Sequence, residues 1–367
     1  MSDIRIEKLA EMLVSYSVCV KPGDKVAILA PEVAAPLVEE IFVRVLKAGG
    51  HPMVVNRSME TMELLYRFGT TEQLEFIHEP HRLITEKYDV RIVITGEQNT
   101  KTLNRIDPAR MVIYDKARSD LMQTMMRRSA SGELRWVIAP YPTNGFAQDA
   151  DMSLKDYEDF LYRACMPDIH DPIGYWQKVS AEQERIVQWL RGKNEVHISG
   201  PDTDLRLSVA GRTFINCSGK FNVPDGEVFT GPVEDSAEGR VYFSYPAIEA
   251  GREVTGIRLW FEKGKVVKAT AEKNEEYLLK TLDTDAGSRY LGEFAIGTND
   301  GITQFTREIL FDEKIGGSFH MALGAGYPET GSKNKSAIHW DMVCDLRQGG
   351  QIEVDGEVLY RSGKFVI

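Results

Sequence analysis

The hydrophobic pattern of this chain changes period once, near Glu195, and that change constrains the fold more than any other feature. Before it, short apolar runs alternate with helical ones. "KPGDKVAILA", "HPMVVN", "DVRIVITG" and "ELRWVIAP" each hold a strand, while "IEKLAEMLVSYS" places Ile6, Leu9, Met12 and Leu13 at helical spacing and "APLVEEIFVRVLKAGG" is an amphipathic helix ending at Gly49 and Gly50. A helical stretch, "PARMVIYDKARSDLMQTMMRRS", separates the last two strands. Short apolar strands spaced by helices predict a mostly parallel sheet covered on both faces. The turn after the first strand, "ILAPEVAAP", has no glycine-rich phosphate loop, so the layer is expected to serve as scaffold or lid and not to bind a dinucleotide. Two helical patterns, "SLKDYEDFLYRAC" and "PIGYWQKVSAEQERIVQWLRG", close this half.

From "EVHISGPDTDLRLSVAG" onward, alternation of period two takes over, with hairpin turns expected at Lys263-Gly264 and Asp355-Gly356 and one helix in "KNEEYLLKTLDT". The chain has 367 residues, beyond the roughly 250–300 at which a single core stops growing. The expectation is therefore an α/β protein of two domains. Residues 1–194 form an α/β layered domain with a mostly parallel sheet, and residues 195–367 a β-rich α+β domain.

Charge and cysteine usage narrow the function. With 55 acidic against 44 basic side chains the net charge is -11, which repels phosphate backbones and anionic lipid, so neither nucleic acid nor membrane is an expected partner. The opening "MSDIRIEKLAEMLVSYSVCV" carries charges inside its apolar pattern, unlike a signal peptide, and no apolar run approaches the ~18 residues that span a bilayer. Cys19, Cys165, Cys217 and Cys344 lie far apart without a CxxC pair, and are expected to be buried free thiols in a reducing cytoplasm.

Histidine is scarce, with seven in the chain. "HEPHR" has the wrong spacing for a zinc-binding HExxH helix, and "GGSFH" lacks the last glycine of a nucleophile elbow. His78 and His81 read as helix-end residues, and His51, His170 and His197 each stand alone and are read in the same way. "IHWDMV" is different. On a strand, residues two apart share a face, so His339 and Asp341 would present an imidazole and a carboxylate side by side, either as a metal edge or as a hydrogen-bonded pair. His320, upstream in "SFHMALG", can join them through a hairpin.

Two glutamates extend the set. Glu227 lies among turn residues in "NVPDGEVFTGPV", and Glu293 opens an apolar strand in "RYLGEFAIGTN"; each alone also reads as an ordinary strand-end acid. Three carboxylates with two imidazoles supply about three negative charges, which nearly neutralise two divalent cations and leave a water between them acidic at neutral pH. Mixed oxygen and nitrogen ligands suit zinc, cobalt, manganese or magnesium.

"PDGEVFTGPVEDSAEG", "RYLGEFAIGTN", "ILFDEKIGGSFHMALGAGYP" and "IHWDMV", together with the opening "VKPGDKVAILA", resemble the M29 metallo-aminopeptidases, the thermophilic leucyl type, over nearly the whole chain. The resemblance implies metal ligands at Glu227, Glu293, His320, His339 and Asp341, a catalytic tyrosine at Tyr327, and Glu293 or Glu227 as proton shuttle. It further implies a homodimer that removes N-terminal residues from peptides through a water activated by two metal ions, with the first domain roofing the site. The same segments are also similar to 2,5-dihydroxypyridine dioxygenase. That ring-cleaving enzyme would use one non-haem iron on His320, His339 and Asp341, leaving Glu227 and Glu293 without a metal.

Overall fold

The computed structural model describes residues 3–249 and 251–367. Its chain divides into two compact units, Met1–Ile173 with Gly219–Val223, and Gly174–Ser218 with Pro224–Ile367. The division falls at Ile173 and Gly174, ahead of the expected position at Asn194, because the long helix Pro172–Leu190 places Ile186 and Leu190 in the core of the second unit.

The first unit holds a parallel sheet with strands in the order His51–Asn56, Lys25–Ala30, Val90–Thr95, Arg135–Pro140. All four coincide with the runs read from the sequence. The helical stretch before the last strand divides at Arg118 into Pro108–Ala117 and Ser119–Ala130. Three helices, Met59–Phe68, Thr71–Glu75 and Glu79–Lys87, occupy a region where the hydrophobic pattern gave no signal. Their starts carry local chemistry instead. Ser58 caps the first through the Thr61 amide, and Thr70 with Gln73 forms a capping box on the second. In "HEPHR", Pro80 opens the third helix within its first turn, where its missing N–H costs nothing.

The second unit is a sandwich of two antiparallel sheets. One has eight strands, in the order Lys265–Thr270, Ile257–Glu262, Glu238–Phe243, Thr203–Ser208, Glu195–Gly200, Gln351–Val354, Glu357–Arg361, Lys364–Phe365. The other has five, in the order His339–Asp345, Ser318–Gly324, Leu291–Gly297, Glu227–Thr230, Ile215–Cys217. Val196, Leu205, Val241 and Leu259 of the first sheet share one core with Phe294, Phe319, Met321 and Trp340 of the second. Both expected hairpins form. Lys263 (φ 48°) with Gly264 (φ 77°), and Asp355 (φ 50°) with Gly356 (φ 81°), adopt the paired positive φ of a type I′ turn.

Cys165 and Cys344 are buried thiols, but Cys19 is exposed, in the turn that leads to the first strand. No helix among the described residues is long and apolar enough to cross a membrane.

The connection between strands Ser318–Gly324 and His339–Asp345 carries Tyr327 and is tied down by Asp285. One Asp285 oxygen accepts from the Ala337 amide at 2.7 Å and the Ser336 hydroxyl at 3.0 Å; the other accepts from the Gly287 amide at 2.9 Å and the Ser288 amide at 3.1 Å. These bonds, that from Ala337 foremost, hold the carboxyl down at about 2 against an ordinary 3.8. Because the folded value is the lower one, the stabilisation is complete above about pH 4 and is lost as the pH falls from there toward 2. Asp285→Ala should therefore lower stability at pH 7 by about 1 kcal/mol, a modest figure because the carboxylate is exposed. Urea unfolding at pH 7 and pH 3 checks it; an equal loss at both values would assign the effect to packing.

Candidate metal centre

The five-stranded sheet has two unlike faces, and strand alternation separates them. Val228, Phe294, Ile296, Phe319, Met321, Leu323, Trp340 and Met342 point into the sandwich core. The opposite face carries Glu227, Glu293, His320, His339 and Asp341, interleaved with small residues. Gly297 lies opposite Glu227, Ala295 opposite His320, Ala322 between Glu293 and Asp341, and Gly324 opposite His339. Each polar side chain thus has a small neighbour across the strand, which leaves space above the sheet.

A bulge makes the pattern work. Leu291 pairs with Leu323 and faces the core, yet Glu293, two residues on, pairs with Ala322 and faces the polar side. The extra residue, Gly292, shifts the phase of the strand. A Cβ there would lie 2.3 Å from the Ala325 carbonyl oxygen, so only glycine fits. Gly324, with φ +103°, likewise leaves no room for a Cβ, which would meet the Ile338 carbonyl at 2.2 Å.

The side chains converge closely. Ligand-type atoms lie within 4.8 Å of one another in the sets Glu227, Glu293, His320 and Glu293, His339, Asp341. Glu293 belongs to both: its Oε1 is 3.8 Å from His320 Nε2 and its Oε2 is 3.2 Å from His339 Nε2. His320 Nε2 lies 3.3 Å from Glu227 Oε2, and His339 Nε2 3.5 Å from Asp341 Oδ2. His339 Nδ1 is 2.7 Å from the Ala325 carbonyl. A carbonyl only accepts, so Nδ1 carries a proton, and Nε2 is the nitrogen turned to the cluster, the one that would offer its lone pair to a cation on losing its own proton.

These residues fit a cation. Asp341 Oδ1 is buried and accepts no hydrogen bond, and Glu227 Oε2 accepts none either and has only the His320 ring 3.3 Å away, a costly state for carboxylate oxygens unless a cation faces them. Burial alone would lower the imidazoles, yet the Glu293 hydrogen bond and the charge of Glu227 push His320 up to about 9. His339 is likewise pushed up to about 10, against burial, by Asp341 and Glu293. Burial raises Glu227 and Asp341, which are uneasy as anions here.

Two residues of the cluster escaped the sequence reading. Glu313 comes within 4.8 Å of His320 and Asp341 ligand atoms. Lys314 is fully buried, and its Nζ contacts Glu227 Oε1 at 3.0 Å and also pairs with Glu313. Both sit in "ILFDEKIGG", just before the Gly316-Gly317 turn. Their acid-base pair looks like a solvated surface turn until the strands are placed. Glu313 and Lys314 offset one another, so adding the pair leaves the charge of the smaller set unchanged.

Tyr327 stands at the rim, its ring edge-to-face with His339 at 5.2 Å and Phe229 at 5.3 Å. Burial, with Glu293 and Asp341 nearby, pushes its phenol well above the usual range, so it stays a proton donor. His197 does have an acid partner: Asp204, brought over by the adjacent strand, lies 2.8 Å from its Nε2. That pair is on another sheet and outside the cluster.

Buried carboxylates and imidazoles on one sheet face, beside a protonated phenol, make up the side-chain set of a metal-dependent hydrolase. The chain belongs to the thermophilic metalloprotease (M29) family, whose model matches residues 2–365. Membership implies a divalent metal. The chain is 26% identical to aminopeptidase T of Thermus thermophilus over 98% of its own length and 95% of that protein. It is 27% identical to aminopeptidase 2 of Geobacillus stearothermophilus over 98% and 97% respectively. Its fold superposes on wild-type AmpT from Thermus thermophilus with a TM-score of 0.87 at 25% identity, over 99% of both chains.

Proposed function

We propose that this protein is an aminopeptidase that removes N-terminal residues from peptides with two divalent metal ions held by Glu227, Glu293, His320, His339 and Asp341. The observation that carries the proposal is Glu293, which turns one oxygen to each histidine as a carboxylate shared by two cations would. Kinship with named aminopeptidases supplies the substrate class. Zinc, cobalt, manganese and magnesium all accept this ligand mixture.

When bound, the metals supply Lewis acidity toward the scissile carbonyl and lower the pKa of water. The protein does the rest. His339 is oriented by the Ala325 carbonyl, and Lys314 holds Glu227 in place. Glu227 or Glu293 carries the proton that passes from water to the departing amine; Glu227, raised by burial, is the more basic of the two, while His320 and His339, against burial, hold Glu293 low. The Tyr327 phenol donates a hydrogen bond to the oxyanion that develops on the carbonyl. A mononuclear iron reading would employ only His320, His339 and Asp341 and leave Glu293, whose two oxygens face the two histidines, without a metal, which argues against the dioxygenase.

Metal analysis by mass spectrometry, on protein purified without added metal and assayed on a leucyl amide, is expected to give two divalent ions per chain and hydrolysis that chelation abolishes. One iron per chain, with oxygen uptake on a dihydroxypyridine, would overturn the proposal.

A further inference from the structure

Arg91 sits where the fold calls for an apolar residue. Its strand, Val90–Thr95, is internal to the parallel sheet, between Lys25–Ala30 and Arg135–Pro140. Such strands are normally continuous apolar runs because both faces are covered. Val90, Ile92, Val93 and Ile94 conform, and Arg91 does not. The register sets Arg91 opposite Ala27, and Ala27 opposite Met53, so alternation puts Arg91 on the same face as Leu29 and Val55. That face opens into a cavity of about 500 Å³. Helices Met59–Phe68, Glu79–Lys87, Pro108–Ala117 and Ser119–Ala130 contribute Met62, Ile84, Tyr114 and Leu121 to its walls.

The cavity is basic and otherwise mostly apolar. Arg57, Arg91, Arg118 and His81 line it, and no aspartate or glutamate does among the described residues. Arg118 is already occupied: its guanidinium donates to the Leu74 and Phe76 carbonyls and lies 3.3 Å above the Tyr114 ring. Arg91 is not. Its Nε is buried without a hydrogen-bond partner, and its Nη1 reaches only the Met125 sulfur at 3.3 Å, a weak acceptor. Burial and the like charge of Arg57 both act against the Arg91 cation, and no carboxylate offsets them.

We infer that this cavity binds a small amphipathic carboxylate, its head paired with the Arg91 guanidinium and its hydrocarbon body lying among Leu29, Val55, Met62 and Leu121. A guanidinium fork matches a carboxylate with two parallel hydrogen bonds. A free amino acid is excluded by its ammonium, which would meet only cations, and inorganic phosphate would leave the apolar walls uncovered. Without a ligand, Arg91 is an uncompensated charge that costs stability.

The test uses the full chain, with octanoate as probe in calorimetry and thermal unfolding. Octanoate should bind and raise Tm, whereas octylammonium, 2-aminooctanoate and inorganic phosphate should not. Arg91→Met should raise the Tm of the ligand-free protein and weaken octanoate by about 10- to 100-fold, the worth of a charged hydrogen bond. Hydrolysis of a leucyl amide should be unchanged in that variant, since Arg91 takes no part in the metal centre. Equal binding of octanoate and octylammonium, undiminished affinity in Arg91→Met, phosphate binding as tight as octanoate, or no octanoate binding at millimolar concentration would each overturn the inference. The comparison of probes in the wild-type protein decides the matter even if the variant fails to fold.

Discussion

His339→Ala and Asp341→Ala are each expected to lose metal and peptidase activity together, by more than the ~10–100-fold that removal of an outer-shell partner costs. Both residues face the cluster from one edge strand, two positions apart, and both approach Glu293 or each other within 3.5 Å. The competing reading, a His–Asp pair that merely holds the sheet together, predicts a loss of stability with metal content intact. Thermal unfolding separates the two. Burial raises the Asp341 carboxyl above its ordinary value, so its ionised form is disfavoured in the fold, and removing it should cost little stability in chelator. Added metal should then raise Tm in the wild-type protein, because a ligand that binds only the folded state stabilises it by mass action. It should do so far less in either variant. Full metal content and full turnover in either one would remove the strand edge from the centre.

The second large effect separates chemistry from metal binding. Tyr327→Phe keeps the ring that packs edge-on against His339 and Phe229 and deletes one hydroxyl. Loss of a single oxyanion donor lowers kcat by ~10²–10³, and that is the loss expected here with the metal content unchanged. Such a residue acts on charge that appears only in the transition state, so kcat and kcat/KM should fall together. The raised phenol supports the assignment, since a tyrosine beside Glu293 and Asp341 stays protonated and free to donate. A variant with near wild-type kcat on a leucyl amide would show Tyr327 to be structural.

Much of the candidate centre was legible because strands have a period of two. "IHWDMV" announces His339 and Asp341 on one face, and the apolar residues between and beyond them, Trp340 and Met342, announce the core on the other. The four parallel strands were legible for a similar reason, as their apolar runs are short and punctuated. The helices between Met59 and Lys87 were not, because their apolar residues do not form one stripe: Leu64, Phe68 and Leu83 are exposed while Tyr66, Leu74 and Ile84 are buried.

The sequence by itself determined the two kinds of layer, the set of carboxylates and imidazoles whose charge nearly balances two divalent cations, and the segments that carry them, since these depend on local period and residue type. Only the tertiary structure decided which charges are buried. Glu313-Lys314 and Arg91 look locally like solvated side chains, yet the pair lies inside the carboxylate–histidine cluster and the arginine lines a cavity without a counter-ion. It likewise decided the face of Glu293, through one extra residue at Gly292, and the length of the first unit, through the core that helix Pro172–Leu190 joins. Each of these depends on register and packing between segments far apart in the chain, and short windows of sequence carry no record of which neighbour a strand or helix will meet.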